Sequence, residues 1–312
     1  MFRVVKIVAL STAFAGSLYA GVNYSEKANK IFNNINDKQI SIYKVTPRVY
    51  SNEKVKSFVA FFKNKGIDLQ DASMLNGGIQ YNNNAKSQQL WIGSDDGAVT
   101  YLDNQIETLT DEDVANQASL RRIADGYIAE LEGNYGANYQ FVNCEFGYYA
   151  DREKSIDKKL SSFAFRYVRL LDGRLVLGNT DYCIVSLGKN GTIGYVKIVN
   201  PELTKERNVK QEIAMNKMQK YLDRHLNSNK YKRGVDGCDT LINSVSVQQS
   251  TPSFFAIKVG NENYLIPHLS FITEAEIADG TKAIREVHIP VDAEFSSNVD
   301  GEDIVQLEML RK

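Results

Sequence analysis

Helical and strand periodicities alternate along this chain. Ile40 to Val45 alternates like a strand. Val55, Phe58, Val59 and Phe62 then follow the i, i+3, i+4, i+7 spacing of an amphipathic helix, with Ser51 placed to cap it and Gly66 to stop it. Beyond a polar loop at Asn82 to Asn84, Gln89 to Ile92 and Ala98 to Leu102 flank an Asp96-Gly97 pair, which predicts a hairpin. A second helix is expected behind Thr110-Asp-Glu-Asp113, which has the capping-box shape. Its stripe is Leu120, Ile123, Ala124, Tyr127, Ile128 and Leu131, and Gly133 is placed to end it.

Strand-like runs follow at Tyr139 to Tyr148, Ser162 to Leu171, Arg174 to Leu177, Tyr182 to Leu187 and Thr192 to Val199. Asp172-Gly173 and Asn190-Gly191 supply two further hairpin turns. A third helix is predicted over Arg207 to Leu226, with Ala214, Met218, Tyr221, Leu222 and His225 on one face. Strands are predicted after it at Leu241 to Val247, Phe254 to Val259, Tyr264 to Thr273 and Ala283 to Pro290. Pro267, inside one of these, implies an edge strand or a bulge. A helix followed by strands, three times over, reads as an α+β chain of tandem units, each a helix packed on an antiparallel sheet.

The N-terminus changes the picture. A short basic region (Met1 to Lys6) precedes an apolar stretch (Ile7 to Leu18) and a small residue at a cut after Ala20, the layout of a secretory signal peptide. The stretch is shorter than the about 20 residues that cross a bilayer. The expected organisation is therefore a signal peptide over 1–20 and α+β units over 21–105, 106–202 and 203–295. A tail occupies 296–312. Export to the periplasm or the medium is expected, with no transmembrane span left after cleavage. Without Arg3 and Lys6, 35 of the 37 basic residues face 38 acidic ones, a balance that offers no footprint for nucleic acid.

The chemistry-bearing residue types are sparse. Cys144, Cys183 and Cys238 lack a metal-ligand spacing, and the three histidines, His225, His268 and His288, are scattered. In an oxidising compartment a Cys144–Cys183 bridge between neighbouring strands is the expected pairing, with three small buried hydrophobes as the alternative. His268 and His288 fall on two predicted strands and could face each other across a ladder. No catalytic, metal-binding or cofactor-binding residue is predicted. Tyrosine is abundant, at 17 residues, and such rings suit contact surfaces. Trp91, Tyr135, Tyr139, Tyr148 and Tyr149 are the candidate partner-contact aromatics, packing beneath a helix being their other reading.

One stretch carries a family likeness. Phe163 to Gly178, with its Asp172-Gly173 turn, followed by Cys183 to Ile193, resembles the PepSY and fungalysin/thermolysin-propeptide (FTP) family of small secreted domains. The helix Thr110 to Leu131 stands where that family has one. A second, more divergent copy carries Tyr264 to Phe271 in place of the family's proline-containing strand. The resemblance covers about Thr110 to Phe295. It implies cystatin-like α+β units that inhibit or regulate a partner protein outside the cytoplasm, typically a peptidase. No H-E-x-x-H follows, so any peptidase must be a separate chain. The expected function is an exported, non-catalytic protein-binding module, with a structural component of the envelope or surface as the alternative.

Overall fold

The computed structural model describes residues 23–24, 39–75, 77–105, 107, 109–149, 159–210, 220, 222–224, 226, 242–277, 282–291 and 305–311. The chain divides into two compact units. A central unit comprises Lys44–Thr204 with Lys258–Tyr264, and a flanking unit comprises the residues up to Tyr43, Lys205–Ile257, and those from Leu265 onward.

Strands β1 (Asn23–Tyr24) and β2 (Gln39–Thr46) come first. The first described helix, α1 (Asn52–Asn64), begins where Ser51 accepts a hydrogen bond from the Lys54 amide, and buries Val55, Phe58, Phe61 and Phe62. Behind it run β3 (Asp71–Leu75), β4 (Gly78–Asn82), β5 (Gln88–Gly93) and β6 (Ala98–Asp103). A short α2 (Asp111–Ala115) leads into α3 (Gln117–Tyr135). This helix runs through Gly133 and ends at Gly136, whose φ of 64° only glycine adopts without strain. The stop expected at Gly133 thus lies three residues further on. Then follow β7 (Tyr139–Tyr149), β8 (Lys159–Leu171), β9 (Arg174–Val176), β10 (Tyr182–Leu187), a 3₁₀ turn at Lys189–Gly191 and β11 (Ile193–Val199).

In the central unit these strands form one antiparallel sheet in the order β3-β4-β5-β6-β11-β10-β8-β7. Both predicted primed turns are present: Asp172 and Gly173 have φ of 49° and 73°, Asn190 and Gly191 of 55° and 75°. One face of the sheet meets the helices. Phe58, Phe61 and Phe62 of α1, with Ala124, Ile128 and Leu131 of α3, share a core with Leu90, Val99, Tyr101, Phe163, Phe165, Val185 and Ile198. Phe62 stacks on Tyr101 with ring centroids 4.8 Å apart.

The flanking unit is built from β12 (Glu202–Lys210), β13 (Ile242–Val259), β14 (Glu262–Ile277), β15 (Lys282–Pro290) and β16 (Val305–Arg311). Strands β12, β2, β14 and β13 are neighbours in that order; β15 pairs with β14 and β16, and β1 lies parallel to β13.

The tandem helix-on-sheet architecture does not hold: the protein is mostly a large mixed sheet with few helices. Two features account for the difference. Strand β6 pairs with β11, so the strand sets expected to belong to separate units merge into one sheet, and the boundary drawn at 105/106 runs through the central unit. The helix predicted from Arg207 begins instead as strand β12, through Lys210, while the described residues of its second half, Lys220, Leu222 to Arg224 and Leu226, are helical, with Leu222 and Leu226 buried. Its face residues Ala214, Met218, Tyr221 and His225 lie outside the described residues, as does the predicted signal peptide. Pro267 is not on an edge either, since β14 has β13 and β15 as partners.

Asp113 ties this unit together locally. Its Oδ2 accepts from the Thr110 amide (2.9 Å) and hydroxyl (2.7 Å), and its Oδ1 accepts from the Asn190 amide (3.0 Å). The donors, the Thr110 hydroxyl first, hold this carboxyl below the usual range. Asp113→Ala is expected to lower stability by about 1–2 kcal/mol, read as a shift of the urea midpoint at unchanged slope. An unshifted midpoint would show that the cap contributes nothing.

Candidate functional site

Alternation along the strands of the central sheet sends every second residue away from the helices. The register lines those residues up in a row crossing all eight strands: Ser73, Gln80, Trp91, Thr100, Lys197, Ile184, Arg166 and Asn143. Apart from the exposed Ser73 they are half-buried. A Cβ on Gly78 would stand 2.7 Å from the Trp91 ring, so only glycine lets the indole lie over the adjacent strand. Arg166 is held in place by the Gly178 carbonyl (2.6 Å) and the Asn179 side chain (2.9 Å), with its guanidinium 4.7 Å from the Tyr182 ring centroid.

The next row on this face runs Leu102, Tyr195, Ser186 and Ala164, and a cavity of about 340 Å³ opens there. Two local irregularities shape it. Ser186 pairs with Tyr195 but Leu187 with Ile193, leaving Gly194 as an extra residue on β11. Such a bulge bends a strand and re-aims its side chains. The 3₁₀ turn Lys189–Gly191 forms a wall, anchored by the Asn190–Asp113 bond. Lys189 and Glu107, both lining residues, form an ion pair at 3.1 Å.

A second polar cluster lies in the flanking unit. The hydroxyls of Ser253 and Ser270 are 2.5 Å apart, and Ser270 Oγ is 2.6 Å from Nδ1 of His288. Nδ1 of His268 is 2.7 Å from the Ile266 carbonyl oxygen, and Phe255 packs against both imidazoles. The two histidines do share a sheet face, on adjacent strands. All four polar residues are buried, and Nε2 of each histidine has no hydrogen-bond partner among the described residues. Burial lowers the pKa of His268 to about 4; for His288, burial and then the nearby His268 lower it to about 3. A serine–histidine contact of this length has the parts of a nucleophile and base, but sealed neutral groups meet no substrate.

The expected site residues disperse. Trp91 sits on the helix-free face, as a contact residue would. Tyr139 is buried and donates its hydroxyl to Asp181 (3.1 Å), so its ring belongs to the core. Tyr135 ends α3 and Tyr148 and Tyr149 end β7, but their side chains lie outside the described residues. Cys144 pairs with Phe165 and Cys183 with Tyr167, on opposite sides of β8. Strands one apart stand about 9.6 Å from each other, beyond the roughly 7 Å Cα limit of a disulfide, so the Cys144–Cys183 bridge is excluded by topology. Both are free thiols, their pKa values raised by burial, which disfavours the reactive thiolate. Cys238 lies outside the described residues. Sequence reasoning missed Tyr195, Ser186, Lys197 and Arg166, whose alternation was visible but whose alignment across strands was not. It also missed Asp181, fully buried against Arg169 at 3.1 Å, with its pKa raised to about 6 by burial despite that arginine.

Two predictions follow from these groups. Peptide mapping without reduction will yield no fragment linking Cys144 to Cys183; such a fragment would overturn the β7-β8-β10 order. The histidines have folded pKa values below those of the unfolded chain, so they withdraw stability as pH falls from about 6.5 towards 4. Asp181 is raised, so it adds stability as pH falls from about 6 to 4. In urea titrations across that window, His288→Gln will therefore flatten the acid loss, by up to about 1.4 kcal/mol per pH unit, and Asp181→Asn will steepen it. Opposite signs would show that these groups do not govern the pH dependence.

No family model matches the chain, and no curated protein matches it. Among solved structures, it is similar to an uncharacterized protein from Eubacterium rectale ATCC 33656, at 12% sequence identity and a TM-score of 0.50, over 82% of this chain and 85% of that one. At that identity the likeness is one of fold alone.

Proposed function

We propose that this protein is an exported, non-catalytic protein-binding module that holds an extended segment of an extracytoplasmic partner, a peptidase in the reading that the PepSY-like stretch favours. The observation that carries the proposal is strand β3. Among the described residues it forms one margin of the central sheet, pairs regularly with β4, and is exposed from Ala72 to Leu75, Met74 reaching 78%. An open edge with apolar side chains is a template for adding a strand: backbone hydrogen bonds supply affinity and alternate side chains supply selectivity. The opposite margin suits that role less well. Strand β7 is bulged at Val142, and its ladder is broken again where Ser161 is the extra residue on β8 opposite Gly147 and Tyr148; irregularities of this kind protect an edge from pairing.

Support for a non-catalytic reading comes from the chemistry. The serine–histidine contact is sealed, and burial keeps both described thiols protonated. No helix among the described residues is long and apolar enough to cross a membrane.

The test is capture of secreted and envelope proteins on the immobilised chain from Gly21 to Lys312, followed by activity assays. A peptidase is expected to be recovered and to lose activity on adding the wild-type chain, but not the Met74→Lys/Leu75→Lys variant, whose charges block the edge. Recovery of the chain itself alone, with self-association abolished by the same variant, would favour the envelope-assembly alternative. Recovery of nothing would overturn both.

A further inference from the structure

We propose that the cavity on the helix-free face of the central sheet is a binding site for a neutral saccharide. This site is separate from strand β3 and independent of the partner reading. Its charges are already satisfied: Lys189 pairs with Glu107 at 3.1 Å, while Asp103 accepts from the Gln88 side chain (2.9 Å) and the Gln105 amide (2.8 Å). An anionic ligand would meet the carboxylates of Asp103 and Glu107, and a cationic one the ammonium of Lys189. What remains is uncharged. Ser162 and Ser186 lie on adjacent strands with the Tyr195 phenol beside them. Ser186 is only 7% exposed, and the part of it that remains open lines the cavity.

A hydroxyl that opens only into the cavity takes its partner there, from water or from a ligand. The Tyr195 ring and Leu102 add apolar surface next to these hydroxyls. A sugar ring presents the same alternation, hydroxyls around its rim and C–H groups on its faces, so one ligand class meets both demands. About 340 Å³ is at the small end of ligand pockets and suits a mono- or disaccharide. The Gly194 bulge makes the space by bending β11.

The test is saturation-transfer NMR and calorimetry on the purified chain with glucose, maltose, cellobiose and N,N′-diacetylchitobiose, with gluconate as the charged control and a neutral asparagine-containing tripeptide as the peptide control. At least one neutral sugar is expected to bind, and to bind about tenfold more weakly to Ser186→Val, one hydrogen bond having been lost. Tyr195→Leu is expected to weaken it likewise, and Met74→Lys to leave it unchanged. Unaltered urea midpoints will show that these variants fold. No binding by any neutral sugar, preference for gluconate or the tripeptide, or wild-type affinity in both Ser186→Val and Tyr195→Leu would each overturn the proposal. Because Met74→Lys blocks the β3 edge alone, failure there and failure here are read separately.

Discussion

The pairing of β6 with β11 is the contact on which the central unit depends. Five residue pairs, from Tyr195–Leu102 to Val199–Ala98, join two strand sets that are separated in sequence by two helices. On the helix side this register places Val99 beside Ile198 and Tyr101 beside Val196, so α1 and α3 cover a single core. On the other side it places Thr100 beside Lys197 and Leu102 beside Tyr195. A slip of one residue would invert both faces, burying Lys197 and exposing Ile198. The apolar pairs therefore fix the polar face as strictly as they fix the core.

Local signals in the sequence proved reliable. The Ser51 cap, the Thr110–Asp113 capping box and the two Asx–Gly turns each depend on residues within a few positions of one another, and all are present. The hairpin of β3 and β4 had a comparable signal that went unread, the Asn76-Gly77 dipeptide between Met74 and Ile79. Non-local pairing left no such mark. Nothing near Ala98 to Leu102 names β11 as its neighbour, and nothing near Cys144 says that β8 stands between it and Cys183. The same limit hid the cavity: Ser186 and Tyr195 are ordinary strand residues until the register sets them side by side.

The segment from Arg207 shows how tertiary context overrides helical spacing. Glu206 to Lys210 is rich in residues that tolerate either state, and pairing with β2 takes it as strand β12. Ser41 Oγ reaches Asn208 Oδ1 at 3.2 Å across that pairing. In the flanking unit buried Ser253, Ser270 and His288 form one hydrogen-bonded chain, while His268 and Thr273 bond backbone carbonyls.

The Asp113 carboxylate has a consequence beyond the helix it caps. One oxygen belongs to the N-terminus of α2 and the other to the turn that walls the cavity, so a single side chain makes the two a mechanical couple. Thermal opening of the cap loosens the wall, and whatever immobilises the Lys189–Gly191 turn from outside slows fraying at Thr110.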